Sequence, residues 1–472
     1  MTTIAHSSTV LKELVKLLAA HGSAFGQDRV YGRIVALVLA EVLAVARHRV
    51  TDLLRALGLE SEDWSAWYRV WQRPGRFAEE AAAKVVFRET LKEVGIEAVY
   101  AMGVDAVGVP RESRKMEGSG WMKCPRNPPW RVSIHRAQRF VNASWLAPLV
   151  NGFSRAIPLR FLPAFPDKAV RQCHDAVKEQ QAGLQAVQWT RQQLDGAGRE
   201  AQVLLCLGDA TYDKPEFWRG LPPRTVALVR TAKNRALCCL PGPYPGRGRR
   251  RLYGDPAPAP QDYLQQRSGW LNTTLLVRER PRRVVYRVEG PFLRRGMPQV
   301  PLFLLIVRGQ SWTRAGQTKR RLPCFYLVNA ILVEGVWQLP LPVESLLTWA
   351  WQRWELEVTH RELKSDFGLG DKQAFHPLAA VASVQWSAWV YALLVLVGLR
   401  FYGYGSPHPR RSAWQRSRPR RATLITLLND CRLELAHASD FSALFAPSPH
   451  NWLEIEAVFL APRFLSPPRA SP

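Results

Sequence analysis

The segment from residue 96 to residue 233 constrains the fold most, because its apolar pattern changes there from helical to strand-like. Three strand-like runs come first: IEAVYAMGVDAVGVPR, RVSIHRAQRFV and SRAIPLRFLPAF. A long amphipathic segment, DKAVRQCHDAVKEQQAGLQAVQWTRQQL, then precedes two more strand-like runs, AQVLLCLGDATYD and TVALVRTAK. This order predicts an α/β fold in which a mixed sheet is flanked by helices.

The remaining segments differ in composition and in the periodicity of their apolar residues. Residues 1–95 carry helical periodicity and predict a helical, DNA-binding N-terminal region, and the charges within its first apolar run indicate an amphipathic helix rather than a signal peptide. Residues 234–341 combine Pro, Gly and Arg with strand-like runs, which predicts a β-rich insertion with basic loops. Residues 342–403 return to a helical pattern, and residues 404–472 form a basic linker and a C-terminal tail.

The charge balance points to a polyanionic partner. The chain of 472 residues has 65 Lys and Arg against 39 Asp and Glu, a formal net charge of +26. Such a surplus lies mostly at the surface and repels itself unless a polyanion is bound. Nucleic acid is the commonest partner of this kind, and an anionic membrane surface is the second.

The seven cysteines include no Cys-x-x-Cys pair, which disfavours a zinc ribbon or a secreted disulfide framework. A reducing cytoplasm is therefore the expected compartment. Residues 377–399 contain no formal charge and are long enough to span a bilayer, although Ser383, Gln385 and Ser387 weaken that interpretation. A buried core helix and a membrane helix both remain open for this segment.

Two aspartates mark candidate chemistry. Asp105 lies within one apolar strand-like run, and Asp209 ends another. A buried carboxylate is costly unless it has a cation or a basic partner. If the two strands are neighbours, the carboxylates would repel each other and favour a bound divalent ion such as Mg²⁺. Each aspartate alone is equally typical of a turn or a helix cap.

A third carboxylate on a following helix would complete such a site. In WQRWELEVTHRELK, residues 351–364, Arg353, Glu357, Arg361 and Lys364 are spaced to share one helical face. Glu357 is the candidate metal ligand, and the three basic side chains are candidate phosphate contacts. A solvated face stabilised by salt bridges is the alternative interpretation of the same spacing.

These residues resemble the DDE transposases of bacterial insertion sequences, in the superfamily named after insertion sequence four. That family's signature reads Tyr, two residues, Arg, three residues, Glu, six residues, Lys, and Arg353, Glu357 and Lys364 match its last three positions. The segments GVDAVGVPRESRKMEG and LGDATYDKPEF resemble the regions of its two aspartates. The chain departs from the pattern at Ala350, where the family has Tyr, and at Ala106, where many relatives carry a second Asp.

The resemblance covers residues 95–400 and implies an RNase H-like catalytic core in two parts, residues 96–233 and 342–403, separated by the insertion. It implies metal-dependent cleavage at insertion-sequence ends and strand transfer into target DNA. Asp105, Asp209 and Glu357 would hold two Mg²⁺ ions, with Mn²⁺ as a substitute. Arg353, Arg361 and Lys364 would contact DNA, and Trp312 in the insertion would stack on an unpaired base.

The implied partners are double-stranded DNA, in the form of terminal inverted repeats and target DNA, and a second copy of the chain in a synaptic homodimer. The implied location is the bacterial cytoplasm, at the nucleoid, with no membrane. Three alternatives stay open: an RNase H-like nuclease without strand transfer, a catalytically inactive DNA-binding relative, and a membrane-associated protein that uses residues 377–399.

Overall fold

The N-terminal part of the chain is helical. The structure, a computed structural model, describes residues 9–45, 47–123, 133–244, 246–314, 317–403 and 423–437. The first five helices are α1 (Val10–Ala20), α2 (Asp28–Leu43), α3 (Val50–Ala56), α4 (Ser65–Gln72) and α5 (Glu79–Leu91). Thr9 caps α1 by accepting a hydrogen bond from the backbone N–H of Lys12 at 3.1 Å. The apolar side of α1 is buried, as its amphipathic sequence predicts.

The central segment contains strands in each of the five predicted places. Its elements are β1 (Tyr100–Pro110), β2 (Gly120–Lys123), β3 (Ile134–Leu146), β4 (Ala156–Pro163), α6 (Glu179–Gly196), β5 (Leu204–Gly208), α7 (Pro215–Arg219) and β6 (Thr225–Arg230). Strand β2 was not predicted. The long helix predicted from residue 167 is too long, because α6 begins only at Glu179.

The next segment is rich in strands, and four helices follow it. The strands are β7 (Cys238–Cys239), β8 (Leu271–Val277), β9 (Arg280–Arg294), β10 (Met297–Val307), β11 (Gln310–Arg314), β12 (Gln317–Arg321), β13 (Cys324–Asn329), β14 (Ile331–Val333) and β15 (Val336–Gln338). The helices are α8 (Val343–Gln352), α9 (Trp354–Ser365), α10 (Pro377–Tyr402) and α11 (Leu424–His437). The arginine-rich linker and most of the C-terminal tail predicted over 404–472 lie outside the described residues.

A single large mixed sheet organises the molecule, which confirms the predicted mixed α/β class. Its strand order is β2-β3-β1-β5-β6-β13-β10-β9-β7, with β4 also paired to β3 and β8 also paired to β9. Strand β1 runs antiparallel to β3 and parallel to β5, and β5 runs parallel to β6. Because β13 pairs with β6, most strands of the 234–341 segment extend this sheet rather than forming a separate one.

Both faces of the central sheet are covered. Tyr100, Met102 and Val104 of β1 point into a core shared with the N-terminal helices and α10, whereas Ala101 faces a second core beneath α8 and α9. Burial on both faces explains why β1 reads as a continuous apolar run rather than as an alternating one. The N-terminal helices therefore pack into the same core as the sheet.

Helix α10 is the uncharged segment for which two interpretations were open. It has the length and composition of a membrane span, yet 89% of its most apolar 18-residue stretch is buried inside the protein. It contacts β4 of the sheet and helices α1, α4, α5 and α11. A helix that is apolar on all sides is expected where protein surrounds it.

Candidate active site

Asp105 lies in the middle of the sheet, on strand β1. Its cross-strand neighbour on β3 is Asn142, and the parallel pairing of β1 with β5 sets Gly103 beside Leu207. Continuing that register by two residues brings Asp105 level with Asp209, which follows the last residue of β5. The two apolar runs thus place the aspartates side by side, Asp105 within β1 and Asp209 directly after the end of β5.

Asp209 begins a short 3₁₀ turn that leaves the sheet. Its carboxylate accepts a hydrogen bond from the backbone N–H of Thr211 at 2.8 Å. This is the cap role that a strand-end aspartate often has. The contact uses one oxygen, Oδ1, while the other, Oδ2, is 3.4 Å from the Thr211 hydroxyl.

Helix α9 reaches the same end of the sheet because it packs very closely on β1. A Cβ atom added at Gly103 would lie only 2.6 Å from Cδ1 of Leu356, so the absence of a side chain at this position lets the helix approach. Glu357 follows Leu356 and belongs to the first turn of α9. A carboxylate there is favoured by the helix dipole.

The helix predicted over residues 351–364 is interrupted at Arg353, so the prediction of one continuous helix is wrong. Helix α8 ends at Gln352 and α9 begins at Trp354. Arg353, at the junction, places Nη1 3.3 Å from Oδ2 of Asp105 and Nη2 2.8 Å from Oε1 of Glu357. One guanidinium therefore bridges the carboxylates of the sheet and the helix.

The three carboxylates interact electrostatically. The pKa of Asp105 is raised to about 6, chiefly by burial; Arg353 lowers this pKa, and the charges of Asp209 and Glu357 raise it. The geometry gives the same grouping, because the β1–β5 register sets Asp209 beside Asp105, and Arg353 contacts both Asp105 and Glu357. The structure thus brings together the three acidic residues that the sequence singled out.

This donor set has the chemistry of a Mg²⁺ or Mn²⁺ site, because all three residues offer carboxylate oxygens and Asp105 carries a destabilised charge. The arrangement is nevertheless not a finished metal site. Among the described residues, no three His, Cys, Asp or Glu side chains are grouped closely enough to hold a metal ion as they stand. Arg353 instead supplies the positive charge that Asp105 and Glu357 share.

A large cleft opens beside the two aspartates, with a volume of about 1430 Å³. Its walls come from β1, β2 and β3, from α3 and α4, and from the segment between α9 and α10. Asp105, Asp209 and Lys364 line it, whereas Arg353 and Glu357 do not. The basic residues in its walls are Arg47, Arg49, Arg111, Lys123, Arg136, Arg139, Lys364 and Lys372.

Two residues of the site were missed by the sequence analysis. The Asn142 side-chain amide nitrogen lies 3.1 Å from Nε2 of His360, which also lines the cleft, and the Ser144 hydroxyl donates to Oδ1 of Asn142 at 2.8 Å. Burial and the cations Lys364 and Arg353 lower the pKa of His360 to about 3, so its imidazole is neutral. His360 follows Glu357 by three residues, and helical spacing was the signal that could have found it.

The other predicted contacts are placed less centrally. Arg361 is exposed on α9 and lies outside the cleft walls. Trp312 belongs to β11, opposite Lys319 on β12, and its side chain is outside the described part of the structure. Near Ala350, the ring of Trp351 is stacked by the guanidinium of Arg321 at 4.0 Å, a contact the sequence did not reveal.

Comparisons with known proteins do not identify the chain: no protein-family model and no curated protein matches it.

Proposed function

We propose that this chain is a metal-dependent DNA transposase of the DDE type, similar to the superfamily named after insertion sequence four. It would cleave DNA at insertion-sequence ends and join those ends to target DNA. The observation that carries the proposal is the grouping of three carboxylates far apart in sequence: Asp105 and Asp209 line a basic cleft, and Glu357 shares the guanidinium of Arg353 with Asp105. Convergent carboxylates of this kind suit phosphodiester chemistry.

The arrangement of strands supports the proposed RNase H-like core. Strands β4, β3 and β1 are successive antiparallel neighbours, and β5 and β6 continue on the other side of β1 in parallel. The three candidate ligands come from the central strand, from the end of its parallel neighbour, and from a helix that returns after the β-rich segment. The predicted element order is the one this resemblance requires.

Asp105, Asp209 and Glu357 would hold the proposed Mg²⁺ ions, for which Mn²⁺ would substitute. When bound, such a pair of ions activates a nucleophile and stabilises the leaving oxygen of a phosphodiester. For Glu357 to contribute, it must exchange its contact with Arg353 for one with the ions. The released guanidinium then remains beside the site, where it can bind a phosphate oxygen of the DNA.

The cleft would hold the DNA backbone near these carboxylates. Lys364 and His360 lie on the α9 side of the cleft, and Arg136 and Arg139 line it from β3. Lysine and arginine neutralise phosphates, and the neutral His360 adds a polar contact without further positive charge. The net charge of +26 favours DNA as partner. The homodimer, the cytoplasmic location at the nucleoid and the absence of a membrane role are proposed from the resemblance.

The test is a cleavage and joining assay with purified protein. A supercoiled plasmid carrying the DNA that flanks the coding region is incubated with Mg²⁺ or Mn²⁺, and nicked, linear and joined products are separated. Joined DNA is the expected product, and Asp209→Asn should form none. Asp175→Asn, which changes an exposed aspartate outside the cleft, is the matched control. Nicking without joined products would show that the protein is a nuclease and does not transfer strands.

One observation favours a second candidate, a catalytically inactive DNA-binding relative. Arg353 contacts both Asp105 and Glu357, and no three acidic, His or Cys side chains of the described residues form a ready metal site. If the arginine cannot be displaced, the site stays closed to ions. DNA binding without any product, even at millimolar Mn²⁺, would identify this candidate.

A further inference from the structure

An exposed aromatic ring lies in the wall of the cleft, away from the carboxylates. Phe375 is 63% exposed, although it lines the same cleft as Asp105 and Asp209. A single exposed apolar side chain needs no explanation on an ordinary protein surface. Phe375 differs because it is an exposed ring in the wall of a cleft that also carries cations and the two aspartates.

The segment that carries Phe375 is held firmly. Asp371 accepts a hydrogen bond from the backbone N–H of His48 at 3.0 Å, and the ammonium of Lys372 lies 2.7 Å from the buried carboxylate of Glu41. The side chain of Gln373 donates to the carbonyl of Gly370 at 2.6 Å. Three consecutive anchored residues therefore precede Phe375, and the ring is presented to the cleft from a fixed backbone.

The walls of the same cleft carry a second aromatic ring and positive charge. Tyr68 of α4 is half-buried and lines the cleft, as do Arg47 and Arg49 from the connection between α2 and α3. Arg49 is paired with Asp52 at 2.6 Å, while Arg47 is exposed. Lys364 lies in the same cleft together with the aspartates. The cleft thus offers both cations for phosphates and aromatic rings for bases.

We infer that the Phe375 part of the cleft binds an unpaired DNA nucleotide, whose base stacks on the Phe375 ring while Arg47 contacts its phosphate. Bases in a duplex are already stacked on their neighbours, so only an unpaired base has a free face for the ring. Stacking of this kind combined with a basic groove is the usual arrangement for single-stranded DNA. The inference rests on the proposed function, because it takes DNA as the substrate.

This site is distinct from the stacking contact predicted at Trp312. Trp312 lies on the β11–β12 hairpin, whereas Phe375 lies between α9 and α10 in the wall of the cleft. The inference therefore concerns the path of a DNA strand that has left the duplex near Asp105. It implies that the strand continues toward the N-terminal helices.

The experiment measures DNA binding by the full chain without cleavage. A fluorescein-labelled strand of about 12 nucleotides, within the range of single-strand binding sites, is titrated in EDTA, and the same strand is titrated as a duplex. Phe375→Ala should weaken single-strand binding about 5- to 100-fold, the range expected for one stacked base. Duplex binding should change less than about twofold, because phosphate contacts dominate it.

Two control variants sharpen the result. Phe401→Ala removes a phenylalanine ring that is also exposed, at 38%, but lies outside the cleft walls, and it should bind both DNA forms as the wild type does. Phe375→Tyr keeps a flat ring and should retain single-strand binding. In addition, 2-aminopurine placed along the strand should be quenched at one position by the wild type and not by Phe375→Ala.

The inference is overturned if Phe375→Ala binds the single strand as tightly as the wild type, or if it weakens single-strand and duplex binding equally. Neither result depends on catalysis. If the protein cleaves and joins DNA but Phe375→Ala leaves single-strand binding unchanged, only this inference is refuted. A protein that stacks a nucleotide on Phe375 but forms no product with Mg²⁺ or Mn²⁺ would refute the proposed enzyme alone.

Discussion

Two of the glutamate–arginine pairs made by helix α9 differ in almost every physical respect. Glu362 pairs with Arg155 in the interior, where their side chains are 7% and 6% exposed, and the Tyr391 hydroxyl donates to Glu362 at 2.7 Å. Glu357 pairs with Arg353 at the cleft end of the sheet, where their side chains are 37% and 21% exposed. Five residues on one helix thus separate a buried polar network from an accessible one.

The difference in exposure gives the two pairs different roles, one in stability and the other in binding. A buried charge pair is costly to break, because the remaining partner is left uncompensated in a medium of low dielectric constant. A partly exposed pair between residues four apart contributes little and can exchange partners with water, ions or phosphate. Glu362 therefore holds α9 in place, and Glu357 remains available for binding. The following changes test this division, from the largest expected effect to the smallest.

Asp209→Asn should reduce cleavage about a thousandfold or more, since it removes one member of a catalytic unit that acts together. DNA binding should persist, because phosphate contacts elsewhere supply most of the affinity. Folding should persist as well, since asparagine can still accept the cap hydrogen bond from Thr211. Nicking assays and gel shifts on the same preparation check this. Equal loss of binding and cleavage would contradict the assigned role.

Glu362→Gln should lower the free energy of unfolding by about 3–5 kcal/mol, because Arg155 loses its buried carboxylate partner. Glu357→Gln is the matched control on the same helix and should cost less than about 1 kcal/mol. Guanidinium unfolding followed by tryptophan fluorescence measures both. If Glu357→Gln destabilised the protein as much as Glu362→Gln, the division between the two pairs would be wrong.

Asp105→Asn should make the metal-free protein more stable at high pH. The folded-state pKa of Asp105 is about 6, above its unfolded value, so the wild type loses stability as pH rises through 6. Asparagine mimics the neutral carboxyl and avoids this loss. The expected gain is about 3 kcal/mol at pH 8 and less than about 1 kcal/mol at pH 4, since one pKa unit corresponds to about 1.4 kcal/mol. Unfolding in EDTA at both pH values measures it, and a gain independent of pH would argue against a destabilised Asp105 charge.

Lys364→Ala should weaken DNA binding modestly and reduce the slope of log affinity against log salt by about 1, the release of one counterion. Arg361→Ala is the control on the same helix, because Arg361 is exposed outside the cleft walls and should leave the slope unchanged. Titrations at several salt concentrations measure both slopes. An unchanged slope for Lys364→Ala would show that Lys364 does not contact DNA and belongs instead to a solvated helix face with salt bridges.

The elements that could be predicted from the sequence are those that are largely buried. Strands β1, β5 and β6 are short apolar runs buried on both faces, so their patterns contain the information needed to place them. Helix α10 was predicted as a buried or membrane helix for the same reason. The half-exposed β2 and the late start of α6 were not predicted, since local patterns are weak where a chain lies at a surface.

The three candidate acidic residues were found from the sequence, whereas the residues beside them were not. Asp105 and Asp209 could be found because a carboxylate in an apolar strand is unusual, and Glu357 because its helix face resembled a family signature. Asn142 could not be found, since its position beside Asp105 depends on strand pairing across the sheet. The break at Arg353 depends on tertiary contacts, because its guanidinium reaches Asp105 on another element.

The wide separation of the three carboxylates along the chain also has a consequence during synthesis. At about 5–20 residues per second, Glu357, which follows Asp105 by about 250 residues, leaves the ribosome roughly 13–50 s later. Strand β1 can pair with β3 and β5 during that interval, while the helix that completes the acidic cluster does not yet exist. His360, Lys364 and residues 369–376 of the cleft wall follow Glu357 in the chain, so neither the acidic cluster nor the complete cleft exists during that interval.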